Sequence, residues 1–311
     1  MTGPPATARV GRRHDSGPRN PAGRTAETGH TGARASIGTS PGAGRGVHPR
    51  PRRDGSTTHG STKMPTPDPS TYPPLDTLKP VAEDVWIVDS GPLRVFGGIP
   101  LPVRMAVVRL RGGDLLLYSP TRYDEGLRRE LAEIGRVRHL VAPNVAHWTF
   151  VKQWQGVCPD ATTWAAPGLR GRRQVRRSGV RIDRELGEAP PPDWAGQIEQ
   201  AVVRGGAGFV EVDLFHTATH TLLLTDLVVN LEAEKLPRLL RPGARLLGMV
   251  APDGRAPAYL RGIVKLRRRE AAQAAARLVA WGPDRVVFTH GAWFERDGTA
   301  ALRRSLRWLL V

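Results

Sequence analysis

The chain of 311 residues holds a single cysteine, Cys158. A lone thiol excludes an intramolecular disulfide and any cysteine-built zinc cluster, and it suits a reducing compartment, so the expected location is the cytoplasm. With no His or Asp beside it, Cys158 reads as a small apolar residue rather than a nucleophile. No apolar run approaches the ~20 residues that cross a bilayer as a helix, which excludes a membrane span of that kind. Arg12-Arg13 has no hydrophobic segment after it, so a secretory signal is not expected. Aromatic residues make up only 6% of the chain. Near the basic clusters at residues 170–177 and 265–269 only Trp164 and Tyr259 are available to stack bases, so both clusters read as solvated charge and nucleic acid is not the favoured partner. No glycine-rich stretch lies between a strand and a helix in the GxGxxG pattern, and Gly97-Gly98 and Gly205-Gly206 read as turns rather than phosphate loops.

Positive charge, by contrast, is abundant. The chain carries 46 Lys and Arg against 29 Asp and Glu, a formal net charge of +17. Eleven of those bases and three of those acids fall in residues 1–63, leaving 35 and 26 for the remainder, so the tail carries +8 and the rest +9. The tail is Gly, Pro, Arg, Ser and Thr with few large apolar side chains, too little to offset its ordering entropy, and is expected to be disordered. A basic tail that touches nucleic acid or anionic lipid, an organellar transit peptide, and a segment outside the mature protein are the three readings of it. The compositional break at Met64 favours the last. Residues 64–80 form a Pro-rich lead-in, and one folded domain is expected over residues 81–311.

Along that domain, residues 85–88 and 105–110 read as strands, and Gly112-Gly113-Asp114 turns the second into a hairpin with residues 115–118. Residues 124–134 place Leu127, Leu131 and Ile134 on one helical face, with acids in the first turn and Gly135 at the stop. A strand at 137–141 then leads into a helix expected to begin near Ala146, with His147 in its first turn. Strands follow at 162–165, 198–203, 209–215 and 221–225. Helices are expected around 234–240 and at 264–281, a strand at 284–289, and an amphipathic helix at 299–310. Hairpins, then alternating helix and strand, then hairpins again, are accommodated by two sheets with helices outside: an α+β, four-layered αββα sandwich. A doubly wound parallel sheet is excluded by the number of tight turns between strands.

Three polar residues, His147, Asp226 and His290, stand just past strand ends, where layered folds assemble their sites. Imidazole nitrogen and carboxylate oxygen suit zinc or another divalent transition ion. The bland reading is that each caps a helix or satisfies a buried hydrogen bond. His216 and His220 lie four apart across a turn and read as surface residues, and His139 lies within a strand as a partly buried packing residue.

Together with the order of elements, the segments TLLLTDLVVN (221–230) and VVFTHG (286–291) resemble the metallo-β-lactamase superfamily, and more closely an uncharacterised bacterial branch of unknown function, over residues 81–310. The resemblance implies that Asp226 takes the place of the superfamily's bridging Asp, with Thr225 where a Gly is usual, and that His290 takes the place of its last metal-binding His. Laid on the H-x-H-x-D-H motif, residues 142–148 put Pro143 and Val145 at the first two His positions, His147 at the Asp and Trp148 at the final His. The separate third His, expected near the start of the 209–215 strand, is also missing. The first metal position has thereby lost its imidazoles, whereas the second keeps His147, Asp226 and His290. The resemblance thus implies either a single-metal hydrolase of an ester, amide or thioester, with zinc the first choice of ion, or a non-catalytic ligand- or partner-binding module whose metal site is lost. Under the first, the partner is a small-molecule substrate, and Asn144 or His216 are the residues available to polarise it. A cleft in which Trp148 fills the vacated first-metal space favours the second.

Overall fold

Three separate apolar seams divide the molecule into four layers. Strand alternation is what separates them: in residues 105–108, Met105 and Val107 join one seam while Ala106 and Val108 join the next. Leu115 and Leu117 likewise part from Leu116 and Tyr118, and Leu222 and Leu224 from Leu223. Runs that are apolar on both faces are what a sheet covered on both sides requires.

The computed structural model describes residues 68–95 and 99–310. The tail at 1–63, the first residues of the lead-in and the Gly97-Gly98 turn lie outside the described residues. The first sheet has seven strands in chain order, β1 (Lys79–Ala82), β2 (Val85–Val95), β3 (Ile99–Arg109), β4 (Asp114–Tyr118), β5 (Arg136–Ala142), β6 (Thr162–Ala165) and β7 (Arg184–Glu185). It is antiparallel from β1 to β4 and parallel from β4 to β7, where helices connect the strands. Those helices are α1 (Glu125–Ile134), α2 (Val151–Val157) and α3 (Arg173–Ser178). Asp124 caps α1 by accepting the Leu127 N–H at 2.9 Å, and Leu127, Leu131, Val151, Trp154 and Val175 fill the outer seam against this sheet.

The second sheet runs β12 (Arg285–Val287), β10 (Thr221–Leu223), β9 (Val210–His216), β8 (Ile198–Arg204), with β12 parallel to β10 and the rest antiparallel. Its outer face is covered by α5 (Ala258–Lys265), α6 (Arg268–Ala280) and α7 (Gly298–Leu310). A two-stranded parallel ladder joins β11 (Val229–Asn230) to β13 (His290–Gly291), and α4 (Arg241–Leu246) packs over it. The architecture is the expected αββα sandwich.

Two helix expectations are corrected. The segment 264–281 is broken at Leu266 and Arg267 into α5 and α6. The β8–β9 turn pushes into the break: the Gly206 N–H donates to the Ile263 carbonyl at 2.8 Å, and a Cβ on Gly206 would lie 2.4 Å from the Leu266 side chain. Residues 234–240 form two short 3₁₀ turns rather than a helix, with α4 beginning only at Arg241. No helix of the described residues is long and apolar enough to cross a membrane.

Candidate metal centre

β5 ends at Ala142, and the chain leaves the sheet through Pro143 and Asn144. The Asn144 side chain shapes the next turn, its Oδ1 accepting the N–H groups of Ala146 at 2.8 Å and His147 at 3.1 Å. The helix expected to begin near Ala146 begins at Val151, and His147 sits in the turn before it. Its Nδ1 lies 2.7 Å from the Ser119 hydroxyl. Ser119 follows β4 with φ +56°, a left-handed conformation that costs a residue with a Cβ about 1 kcal/mol, and it turns the hydroxyl onto the imidazole.

Asp226 follows β10 in a turn held from beneath. The fully buried Glu211 carboxylate, on β9, accepts the backbone N–H groups of Thr225 (2.9 Å), Asp226 (2.9 Å) and Leu227 (3.3 Å). The Asn144 amide donates to Asp226 Oδ2 at 2.7 Å and to the Thr225 hydroxyl at 2.9 Å. Asn144 thereby holds Oδ2, and Oδ1 faces both histidines, with His147 Nε2 also 3.4 Å from Oδ2.

His290 opens β13, and its Nδ1 donates to the Pro102 carbonyl of β3 at 2.8 Å. That bond places a proton on Nδ1 and leaves Nε2 facing Asp226. Arg104 ties the same strands together, donating to the carbonyls of Phe288 (3.0 Å) and Gly291 (2.7 Å) while pairing with Asp89 at 2.7 Å. Gly291 has φ +100°, and a Cβ there would lie 2.1 Å from the Asn230 carbonyl oxygen.

These supports bring three donor atoms, one from each of His147, Asp226 and His290, within 4.8 Å of one another. Asp226 Oδ1 lies 3.4 Å from the Nε2 of His147 and 3.4 Å from the Nε2 of His290. Ligand atoms around a tetrahedral ion with bonds of ~2.0–2.1 Å stand about 3.4 Å apart, so the donor set suits such an ion in its chemistry and in the two distances from Asp226 Oδ1. Side-chain exposure falls from 21% at Asp226 to 11% at His147 and 5% at His290. All three face a cavity of about 210 Å³ whose apolar wall includes Leu93, Val95, Leu101 and Val103 of the β2–β3 hairpin.

The charges are coupled. Burial opposes a proton on His147, but the Asp226 carboxylate beside it, with Glu211 behind, outweighs burial and raises its pKa. Burial likewise works against ionised Asp226, yet His147 and His290 hold it well below the usual carboxylate range. Next to Glu211, the fully buried Asp213 has its pKa driven well above the ordinary value by burial and by the Glu211 charge.

The other candidates fall elsewhere. His216 lies at the opposite end of β9 from Glu211, roughly 16 Å along the strand, and its Nδ1 bonds the Thr219 hydroxyl at 2.8 Å. It is buried, contrary to the surface turn expected, and burial lowers its pKa. It takes no part in the centre. His220 is exposed. His139 is buried as a packing residue, accepting the Trp164 indole N–H at 3.2 Å. Cys158 ends α2, half-buried against the outer seam, where burial raises its thiol pKa. Asn144 is turned toward Asp226 and its neighbours, so it scaffolds the centre where sequence offered it as a group to polarise substrate. Trp148 packs into the outer seam, its indole bonded to the Val145 carbonyl at 3.0 Å, and is absent from the cavity wall. Ser119, Arg104 and Glu211 were not legible as site residues. The one available signal was the pair of carboxylates, Glu211 and Asp213, within the buried strand β9.

Residues 83–247 match the model of a domain of unknown function, DUF4336. No curated protein matches the chain. Among solved structures the chain is similar to a metallo-β-lactamase from Pontibacter korlensis, at 16% identity and a TM-score of 0.51, covering 75% of this chain and 97% of that one. It is similar to the DIM-1 metallo-β-lactamase exposed to ceftazidime, at 18% identity and a TM-score of 0.52, over 75% and 95% of the two chains. A metal-soaked Flv1 flavodiiron core from Synechocystis sp. PCC6803 gives 12% identity and a TM-score of 0.53, over 75% and 60%. At these identities the likeness shows the fold alone: it is metallo-β-lactamase-like.

Proposed function

This chain belongs to the DUF4336 family, a domain of unknown function, and we propose that its domain at residues 81–311 holds one divalent metal ion, zinc by preference, on His147, Asp226 and His290, and hydrolyses a small ester, amide or thioester. The observation that carries this reading is the spacing around Asp226 Oδ1, 3.4 Å to each imidazole Nε2. A bound ion supplies Lewis acidity, polarising a carbonyl and bringing the pKa of water toward neutrality. The chain's own residues supply the rest. Ser119 and the Pro102 carbonyl hold the two rings by Nδ1, and Asn144 holds Oδ2, which orients the carboxylate with Oδ1 toward both rings. Three protein ligands leave a position open toward the cavity, as a catalytic site requires. On the cavity wall the buried Thr121 hydroxyl has no partner among the described residues and can donate to a bound substrate.

The non-catalytic module is favoured by one observation: His147 Nε2 lies 3.4 Å from the Asp226 carboxylate, a contact the two side chains make without metal. The position of Trp148 in the outer seam speaks against it. Titration of chelator-treated protein with zinc, followed by native mass spectrometry, separates the two. One ion per chain is expected, and none after His147→Ala with Asp226→Ala. No bound ion, or an ion that survives both substitutions, overturns the proposal. Hydrolysis of an ester, thioester and amide panel by loaded but not by chelated protein tests the reaction.

A further inference from the structure

Residues 236–250, LPRLLRPGARLLGMV, contribute no ligand to the centre and display an unusual surface. They contain Arg238, Arg241 and Arg245 and no acidic residue. Their inner side is fixed: Leu236 and Ala244 are buried with Val229 and Leu231, the Met249 N–H donates to the Ala244 carbonyl at 3.0 Å, and Arg241 Nε donates to the Leu236 carbonyl at 3.1 Å. On the outer side Leu239 is 94% exposed and Leu246 87%, with Leu247 beside them and Arg238 and Arg245 also exposed. Leucines left this far into water by a segment held firmly in place point to a surface that is covered in use.

Charge selects what covers it. A second copy docking by a two-fold axis would set these arginines against their own counterparts. Residues 1–63 carry a net +8 and are repelled by the same face. The occupant is therefore anionic and has an apolar layer. An acidic protein would need a recess for each leucine, whereas side chains standing almost free of their neighbours enter an acyl layer without one. Basic side chains flanking exposed leucines are the composition of segments that lie in the bilayer interface. The surface also continues toward the centre: Arg261 of α5 donates to the Leu247 carbonyl at 2.9 Å, and Tyr259 on the same helix is exposed and forms part of the cavity wall.

We propose that residues 236–250 seat the protein on the surface of a membrane rich in anionic phospholipid. Leu239, Leu246 and Leu247 enter the acyl boundary, and Arg238 and Arg245 pair with headgroup phosphates. The test is co-sedimentation of the full chain with vesicles of phosphatidylcholine alone, and with about one third phosphatidylserine added. Binding is expected to the anionic vesicles only. Leu239→Ser with Leu246→Ser changes no charge and is expected to lower the partition coefficient roughly tenfold or more, while Arg238→Gln with Arg245→Gln weakens binding and flattens its salt dependence. Both pairs are exposed, so an unchanged urea midpoint confirms intact folding, and Leu246→Ser alone serves if the double variant fails that check. Vesicle binding that survives the leucine substitutions belongs to charge elsewhere in the chain and overturns the proposal. Equal binding to neutral vesicles, or no vesicle binding together with capture of an acidic protein through the same leucines, overturns it as well.

Discussion

Replacing Glu211 by alanine is expected to damage both the fold and the centre. Glu211 is fully buried, and its carboxylate accepts three backbone N–H groups at 2.9–3.3 Å, with the Asn144 amide at 3.3 Å as a fourth donor. Each buried donor left without an acceptor costs about 1–3 kcal/mol. Water entering from the neighbouring cavity recovers part of that, and neighbouring losses do not add in full, so the expected cost is ~4 kcal/mol. This is a large share of the ~5–15 kcal/mol that holds a typical domain folded. At about 2–4 °C per kcal/mol for a domain of this size, Tm falls by roughly 10 °C. Glu211→Gln keeps one acceptor oxygen but turns an NH₂ toward backbone donors, and is expected to cost about 1–2 kcal/mol. Urea unfolding followed by far-UV circular dichroism measures both, with an unchanged slope confirming that stability and not compactness has moved. The same variants should bind zinc more weakly, because Asp226 sits on the turn that Glu211 holds. Glu211→Ala within ~1 kcal/mol of wild type would refute the reasoning, since four buried donors would then have found partners elsewhere.

Other perturbations act on the same contacts. Ser119→Ala frees His147 Nδ1 and is expected to weaken zinc binding roughly 10- to 100-fold, with the stoichiometry kept at one, as read by competition with a chelating dye. Zinc affinity should climb as pH rises past about 6.5, because the proton favoured on His147 by Asp226 must leave before the imidazole can ligate. In metal-free protein that raised pKa stabilises the fold below about 6.5, and the benefit fades as pH rises through the folded value, so wild type should lose its advantage over His147→Gln in alkaline urea melts. Asp213→Asn should raise the urea midpoint at pH 7: the folded pKa is raised, so the acid's contribution is whole below about 3.9 and is lost as pH climbs, and the difference should close toward pH 4. Gly291→Ala, with its Cβ 2.1 Å from the Asn230 oxygen, should destabilise by more than about 1 kcal/mol and weaken zinc binding through the displaced His290, both measurable on one preparation.

Much of the layering was legible because both sheets are covered on both faces, which leaves apolar runs bounded by Gly, Pro and Asp turns. Residues 115–118 and 221–225 show it, and α1 was readable to within a residue from Asp124 and Gly135. Where the chain departs from its local pattern, a distant contact is responsible. The β8–β9 turn breaks a pattern that locally favours one long helix across 264–281.

The centre divides along the same line. His147, Asp226 and His290 could be named from residue type and position at strand ends, because a strand end projects its next polar side chain out of the sheet. Their convergence, by contrast, depends on contacts between residues 15 to 188 positions apart in the chain: Ser119 on His147, Glu211 on the Asp226 turn, Pro102 on His290. No local periodicity encodes such pairs: the first two join the ends of neighbouring strands of one sheet, and the third joins β3 to β13. Sequence alone determined the donor types and the layers that carry them. Tertiary structure decided that the donors meet, that Asp226 Oδ1 faces both rings, that Asn144 is spent on holding Asp226 and that Trp148 lies off the cavity wall, because those outcomes rest on contacts between elements that meet only in the folded chain.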